Sequence, residues 1–120
     1  MTPAPHTVAR NRTLAAAHKL MRDHQVRHLP VLEQGHIVGE VSQRDLLMIE
    51  ALPGVNPTEV RVEDAMVENV FTVSPDTPLA RVLDGMIEKK LGSAIVCEGD
   101  RVVGVFTTID ALRAFRERLA

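Results

Sequence analysis

The sequence predicts an α/β fold of two tandem β-α-β-β-α repeats packed with pseudo-twofold symmetry. A duplication, a repeated order of hydrophobic patterns and the small size of each half lead there. Sliding the chain by 65 positions aligns residues 7–48 with 72–113 without a gap, and 11 of those 42 pairs are identical, among them Thr7/Thr72, Leu14/Leu79, Met21/Met86, Gly39/Gly104 and Asp45/Asp110. Apolar residues in both copies pass from helical spacing to short strand-like runs and back to a helix. A half of roughly 60 residues buries little surface alone, so the copies are expected to share a core with a cleft at each end of the seam.

Each copy opens on a short extended piece, Thr7-Val8 and Phe71-Thr72-Val73. The first helix starts near Thr13 and places Leu14, Ala17, Leu20 and Met21 on one face. Its counterpart has Thr77 as a cap and Pro78 in the first helical position, ahead of Leu79, Val82, Leu83, Met86 and Ile87. Next come hairpins: His28 to Leu32 turns through Glu33-Gln34-Gly35-His36 into Ile37 to Val41, and Ser93 to Cys97 turns through Glu98-Gly99-Asp100-Arg101 into Val102 to Phe106. A second helix begins after Ser42 and after Thr107. The copies are bounded as 1–50 and 62–120 with a linker at 51–61, which Pro53-Gly54-Val55-Asn56-Pro57 punctuates. Val62 to Met66 reads as one helical turn leading into copy two. Met1 falls on the offset of Met66, so copy one is expected to lack its lead-in, through truncation or a late start codon.

Composition excludes several classes of function. Fourteen basic against 16 acidic residues give a formal net charge of −2, unlike the basic footprint of a nucleic-acid binder. No apolar run approaches the roughly 18 residues that span a bilayer, and no signal pattern opens the chain, so a cytoplasmic address without membrane association is expected. With no Trp or Tyr and only Phe71, Phe106 and Phe115, a planar ligand must be held by aliphatic side chains and backbone. Cys97 is the one cysteine; it lies in an apolar strand with no base beside it and reads as a buried thiol. His6, His18, His24, His28 and His36 form no set at ligand spacing, so no metal site is expected. No nucleophile–base pair or Walker-type phosphate loop appears, and no catalytic residue is assigned.

The chemistry concentrates at two strand-to-helix junctions, Gly39-Glu40-Val41-Ser42-Gln43-Arg44-Asp45 and Gly104-Val105-Phe106-Thr107-Thr108-Ile109-Asp110. A helix start presents unpaired N–H groups and partial positive charge, which suits a phosphate. A hydroxyl there adds a hydrogen bond, and an Asp one turn on can accept from both hydroxyls of a ribose. The same spacing also makes a capping box, Ser42 with Asp45 and Thr107 with Asp110, although Glu or Gln is the preferred partner. Local physics leaves both readings open.

The segments His28-Leu29-Pro30-Val31, Ile37 through Leu47, and Thr107-Thr108-Ile109-Asp110-Ala111-Leu112 resemble a tandem pair of CBS domains, the Bateman module, over nearly the whole chain. The resemblance implies regulation without catalysis, by an adenosine ligand: AMP, ADP, ATP or S-adenosylmethionine. It implies no catalytic cofactor. Asp45 and Asp110 match the family's ribose-binding aspartates, and Ser42 and Thr107 the hydroxyls near ribose or phosphate. Each site is expected to be completed across the pair: Val70, Phe71, Leu91, Gly92 and Ser93 would serve Asp45, while Pro5, His6, Val26, Arg27 and His28 would serve Asp110. The resemblance further implies a homodimer; the effector protein stays open.

The two sites are expected to differ. Arg44, Arg27 and His28 stand near Asp45, where Asp110 has the uncharged Ile109, Gly92 and Ser93. Phosphates need cations to offset their desolvation. The Asp45 site is therefore expected to favour a phosphorylated nucleotide, and the Asp110 site a less anionic adenosyl compound or none. The competing function is an assembly module whose aspartates only cap helices and whose apolar helix faces make a dimer.

Overall fold

A computed structural model describes residues 2–3, by their backbone, and residues 6–119. Its elements run β1 (Thr2–Pro3), β2 (Val8–Ala9), α1 (Leu14–His24), β3 (His28–Glu33), β4 (His36–Ser42), α2 (Gln43–Glu50), a 3-10 turn (Val62–Asp64), β5 (Thr72–Val73), α3 (Leu79–Lys89), β6 (Ser93–Glu98), β7 (Arg101–Thr107) and α4 (Thr108–Leu119). The expected α/β order of elements is present in both copies. The chain forms two compact units, one of residues His6–Val70 and one that joins Thr2–Pro3 to residues 71–119.

The first unit carries a three-stranded sheet in the order β2-β3-β4. Strand β2 runs parallel to β3, and β3 pairs antiparallel with β4 through a turn in which Gln34 and Gly35 both adopt positive φ, 51° and 80°. That twist suits the flanking strands. Behind the sheet, α1 and α2 bury Leu14, Ala17, Met21 and Leu46 against Leu29, Val31 and Val41. Leu20 packs at the margin of this core. Thr13 caps α1 as expected, its hydroxyl accepting from the Ala16 N–H at 3.2 Å. Gln25 ends the helix in the left-handed region, where the following Val26 N–H donates to the Met21 carbonyl at 3.0 Å.

The second unit repeats this plan. Strands β5, β6 and β7 pair as their counterparts do, with β-bulges at equivalent places, Val31/Leu32 and Val96/Cys97. Lys90 ends α3 at φ 55° as Gln25 ends α1 at φ 54°. The start of α3 differs from expectation. Thr77 does not cap it: the Thr77 hydroxyl accepts from the Ser74 N–H at 3.0 Å, and Pro78 stands at the boundary without a side-chain cap. The hydroxyl is spent on closing the preceding turn.

Repeat boundaries and packing boundaries are not the same. The turn Val62–Asp64 opens copy two in sequence but packs into the first unit, where Val62 and Ala65 join the core. Val67 bridges Glu40 through paired backbone bonds of 2.8 and 2.9 Å. In the second unit Thr2 pairs with Val105, the positions equivalent to Val67 and Glu40 under the 65-residue offset. Each unit thus takes residues that precede the other copy's first strand as an edge segment. The expectation that copy one lacks its lead-in turn falls on Met1, which lies outside the described residues.

Gly39 shows why that edge contact needs a small residue. A Cβ there would lie 2.8 Å from the Met66 sulfur and 2.9 Å from the Val67 carbonyl oxygen. The sulfur can swing away, but the carbonyl is fixed by its bond to the Glu40 N–H. Gly39→Ala is expected to lower stability by about 1–3 kcal/mol, the usual range for overpacking. Urea unfolding checks this, and an unchanged midpoint would mean that residues 66–67 yield freely.

Candidate functional site

Each junction is built by a strand that ends on a hydroxyl residue and a helix that starts at the next one. In the first unit the Ser42 N–H and hydroxyl both donate to Asp45 Oδ2, at 2.8 and 2.9 Å, while the Asp45 N–H donates to Ser42 Oγ at 3.1 Å. The second junction has the same three bonds between Thr107 and Asp110, at 2.9, 3.2 and 3.4 Å. The capping box is therefore formed twice, with Asp as a working partner. Because the carboxylate reaches the main chain through Oδ2, Asp45 Oδ1 keeps no partner among the described residues. Capping and ligand binding are thus compatible uses of one side chain.

A second tie fixes the residue before the hairpin. The Gln43 N–H donates to the Arg27 carbonyl at 2.9 Å, and the Thr108 N–H donates to the Gly92 carbonyl at 3.0 Å. Register pairs His28 with Ser42 and Ser93 with Thr107. Arg27, His28, Ser42, Arg44 and Asp45 consequently gather at one corner of the first unit, and Gly92, Ser93, Thr107, Ile109 and Asp110 at the matching corner of the second. Arg27 and Arg44 are exposed, whereas Ser93 is buried. His28 is half-buried, and its Nδ1 is shielded from solvent with no hydrogen-bond partner. The role of Gln43 as a tie was not visible in sequence, since a backbone donor leaves no signature in residue type; Thr108 adds its hydroxyl, which also donates to the Gly92 carbonyl at 3.2 Å.

Each remaining candidate has a definite setting within its own unit. The Phe71 ring packs with Val73 and Phe106 against Val82, Met86 and Ala94, so close to α3 that a Cβ on Gly85 would collide with it. Its carbonyl accepts from the Ile95 N–H at 2.8 Å. The Val70 N–H donates to the Glu68 carbonyl, and the Leu91 N–H closes the end of α3 on Met86. Val26 packs at the edge of the first core. The His6 ring stacks on His24 at the end of α1, with centroids 3.4 Å apart, and Pro5 lies outside the described residues.

Other chemistry finds little footing. Cys97 is part-buried rather than fully buried as expected; that partial burial first, and the Asp100 charge second, push its thiol above the ordinary pKa, the opposite of nucleophile activation. Among the described residues no group of three or more His, Cys, Asp or Glu is arranged to hold a metal ion, and no helix is long and apolar enough to cross a membrane.

A β-α-β-β-α unit present twice, with a hydroxyl–aspartate junction in each copy, defines a duplicated α/β module. The chain belongs to the CBS domain family, whose model matches residues 1–51 and 62–117. It is similar to the CBS domain pair of protein MJ0100 in complex with 5′-methylthioadenosine and S-adenosyl-L-methionine, at 26% identity and a TM-score of 0.84, over 98% of this chain and 93% of that one. The Vibrio cholerae protein AcuB matches at 32% identity and a TM-score of 0.83, over 99% of this chain and 88% of that one. L-aspartate semialdehyde sulfurtransferase of Methanocaldococcus jannaschii is 31% identical over 117 residues, 96% of this chain. The chain spans only 22% of that enzyme's length.

Proposed function

We propose that this chain senses adenosine compounds, binding them at the Asp45 and Asp110 junctions and catalysing no reaction itself. One observation carries the reading: Asp45 is locked in place through Oδ2 and presents Oδ1 to solvent or ligand without a partner among the described residues. A preorganised carboxylate loses little entropy on accepting two ribose hydroxyls. The adenosyl ligands in the MJ0100 complex support the chemical class. Arg27, His28 and Arg44 around Asp45, against Gly92, Ser93 and Ile109 around Asp110, support a phosphorylated nucleotide at the first junction and a less anionic adenosyl compound at the second. Binding would act by favouring whichever state of the chain holds the ligand more tightly.

A specific observation favours the assembly reading as well. Helices α2 and α4 expose Leu47, Met48, Leu112, Phe115 and Leu119, each more than half exposed. These are surfaces for a second copy, and dimerisation accompanies sensing in the proposal. A thermal-shift panel with adenosine, AMP, ATP and S-adenosylmethionine separates the two. Ligand at a hundred times its dissociation constant adds about 2.7 kcal/mol, which raises the melting point by on the order of 10 °C. If no member of the panel moves the transition, the sensor reading fails and assembly alone stands.

A further inference from the structure

The imidazole rings of His6 and His24 lie face to face at the end of α1, their planes 10° apart and their centroids 3.4 Å apart. His6 stands just ahead of β2, and both residues are exposed. We propose that this stack is a latch released by acid. It holds the stretch before β2 on the end of α1 while at most one ring carries a proton, and lets go when both do. The proposal is independent of the nucleotide reading above.

The duplication supplies an internal comparison. Under the 65-residue offset His6 and His24 correspond to Phe71 and Lys89, and there the Lys89 ammonium sits over the Phe71 ring, 5.9 Å from its centroid. Both copies therefore tie the stretch ahead of their first strand to the end of the following helix through a ring. The second copy has a further tie: the Ile95 N–H donates to the Phe71 carbonyl at 2.8 Å. The first copy has Pro30 at that position, which has no N–H to give. Among the described residues no hydrogen bond holds His6, so the ring stack is its tie. Leu20 explains why the stack lies at the helix end. Its counterpart is Gly85, where a Cβ would already collide with the Phe71 ring, so a ring at position 6 is kept off that part of α1.

Proton count sets the direction. Imidazole is the side chain whose ordinary titration falls between about pH 5 and 8. Two neutral rings stack as aromatics do, and one imidazolium over a neutral ring is a cation over a π face, as Lys89 is over Phe71. Two imidazoliums place like charges in contact, and they repel. Neither ring forms an ion pair with a carboxylate among the described residues. On α1, Arg22 stays cationic and Asp23 is committed to Lys19 at 2.9 Å. That bond, first among its causes, holds the Asp23 carboxyl below its ordinary pKa, so Asp23 stays ionised across this range and is not the switch. Lys19, Arg22 and Asp23 together carry a net positive charge, which does not offset a second proton. Arg27 and His28, at the entry to β3, add no negative charge. The positions equivalent to those that pack against Phe71 hold Ala17, Met21 and Leu29, which are uncharged. The latch is therefore at full strength in alkali and fails as pH falls.

Hydrogen exchange of the backbone amides of residues 7–10, corrected for the intrinsic effect of pH, follows the latch between about pH 8 and 5. These include the Arg10 N–H, which donates to the Leu32 carbonyl at 3.0 Å. At the alkaline end, His6→Ala is expected to lower protection by about two- to tenfold, the usual contribution of an aromatic pair. At the acid end the parent is expected to have lost that margin and to match the variant. The double variant His6→Phe/His24→Lys copies the pair of the second unit and is expected to hold its protection level across the range. Both positions are exposed, so the variants fold. His18 with Glu50, 2.8 Å apart, is another titratable contact of this unit, and His6→Ala leaves it in place. If acid lowers protection as steeply in His6→Ala as in the parent, the switch lies in such a contact and the latch is overturned. It is equally overturned if His6→Ala matches the parent at the alkaline end, or if the double variant loses as much protection in acid as the parent does.

Discussion

Truncating Leu29 to alanine is expected to destabilise the protein by about 2–5 kcal/mol, the range for a large aliphatic side chain removed from a packed core. Leu29 is 0% exposed in the middle of β3 and packs in one cluster with Leu14, Ala17, Met21, Val31, Val41, Leu46 and Val62. Its neighbours cannot close the gap. Val31 and Val41 are fixed by the β3–β4 ladder, and α1 and α2 are anchored by side-chain caps on Thr13 and Ser42. The cost therefore includes the cavity as well as the lost transfer energy. Copy two has Ala94 at the equivalent position, also fully buried, but there Phe71 and Phe106 fill the space from other directions. A residue harmless in one copy is thus costly in the other. Urea unfolding followed by far-ultraviolet circular dichroism measures the change, since the chain has no Trp or Tyr to report. Against a typical total of about 5–15 kcal/mol, the loss separates clearly from scatter. A loss below about 1 kcal/mol would show that the first core relaxes around the deletion.

The contrast between Leu14 and Leu79 shows how much of this was legible in the sequence. The two are identical under the offset and open equivalent helices, yet Leu14 is 0% exposed and Leu79 is 46% exposed. The difference comes from residues 55–62. Leu14 N–H donates to the Val60 carbonyl, Ala15 N–H to Pro57 and Val62 N–H to Arg12, which lays this segment over the start of α1. Periodicity can place an apolar residue on a helix face, but it does not say what covers that face. The hairpins and the two junctions were legible because their signals are local: alternating burial, turn residues and a hydroxyl three positions before a carboxylate. Thr77 misled because a Thr before Pro has two uses, and only the fold of Ser74 to Thr77 selects one. These edge pairings were invisible, since Thr2 with Val105 and Val67 with Glu40 pair through main-chain groups.

The same locality shapes the reading of the candidate site. Spacing alone found Ser42, Asp45, Thr107 and Asp110, and the structure gives all four the geometry that spacing implies. Arg27 and Gly92 came from the family resemblance rather than from spacing, and their place beside the helix start is set by a backbone bond across the hairpin. Charge then separates junctions that the backbone makes alike. A duplication copies the scaffold, and the divergence of Arg27 from Gly92 and of Arg44 from Ile109 leaves two similar corners with different charge.

Replacing Asp45 with alanine is expected to produce two losses that can be measured apart. Without ligand, the Ser42 N–H loses its acceptor at 2.8 Å and the capping box is broken, which lowers stability by about 1 kcal/mol. With ligand, the ribose loses two bonds to a charged acceptor, each contributing about 1.5–3 kcal/mol, so affinity for adenosine falls roughly 10²–10⁴-fold. Ser42→Ala provides the comparison: it removes the same cap from the other side and leaves the carboxylate, so it carries a similar stability loss and a much smaller change in affinity. Asp45→Asn keeps an acceptor for the Ser42 N–H without the charge, and is expected to hold most of the stability while losing part of the affinity. Melting curves with and without adenosine, taken for all three variants, resolve the matter. If Asp45→Ala melts about 1 kcal/mol lower yet responds to adenosine as the parent does, the carboxylate is a cap and nothing more. The ribose would then have to be held by other groups at the junction.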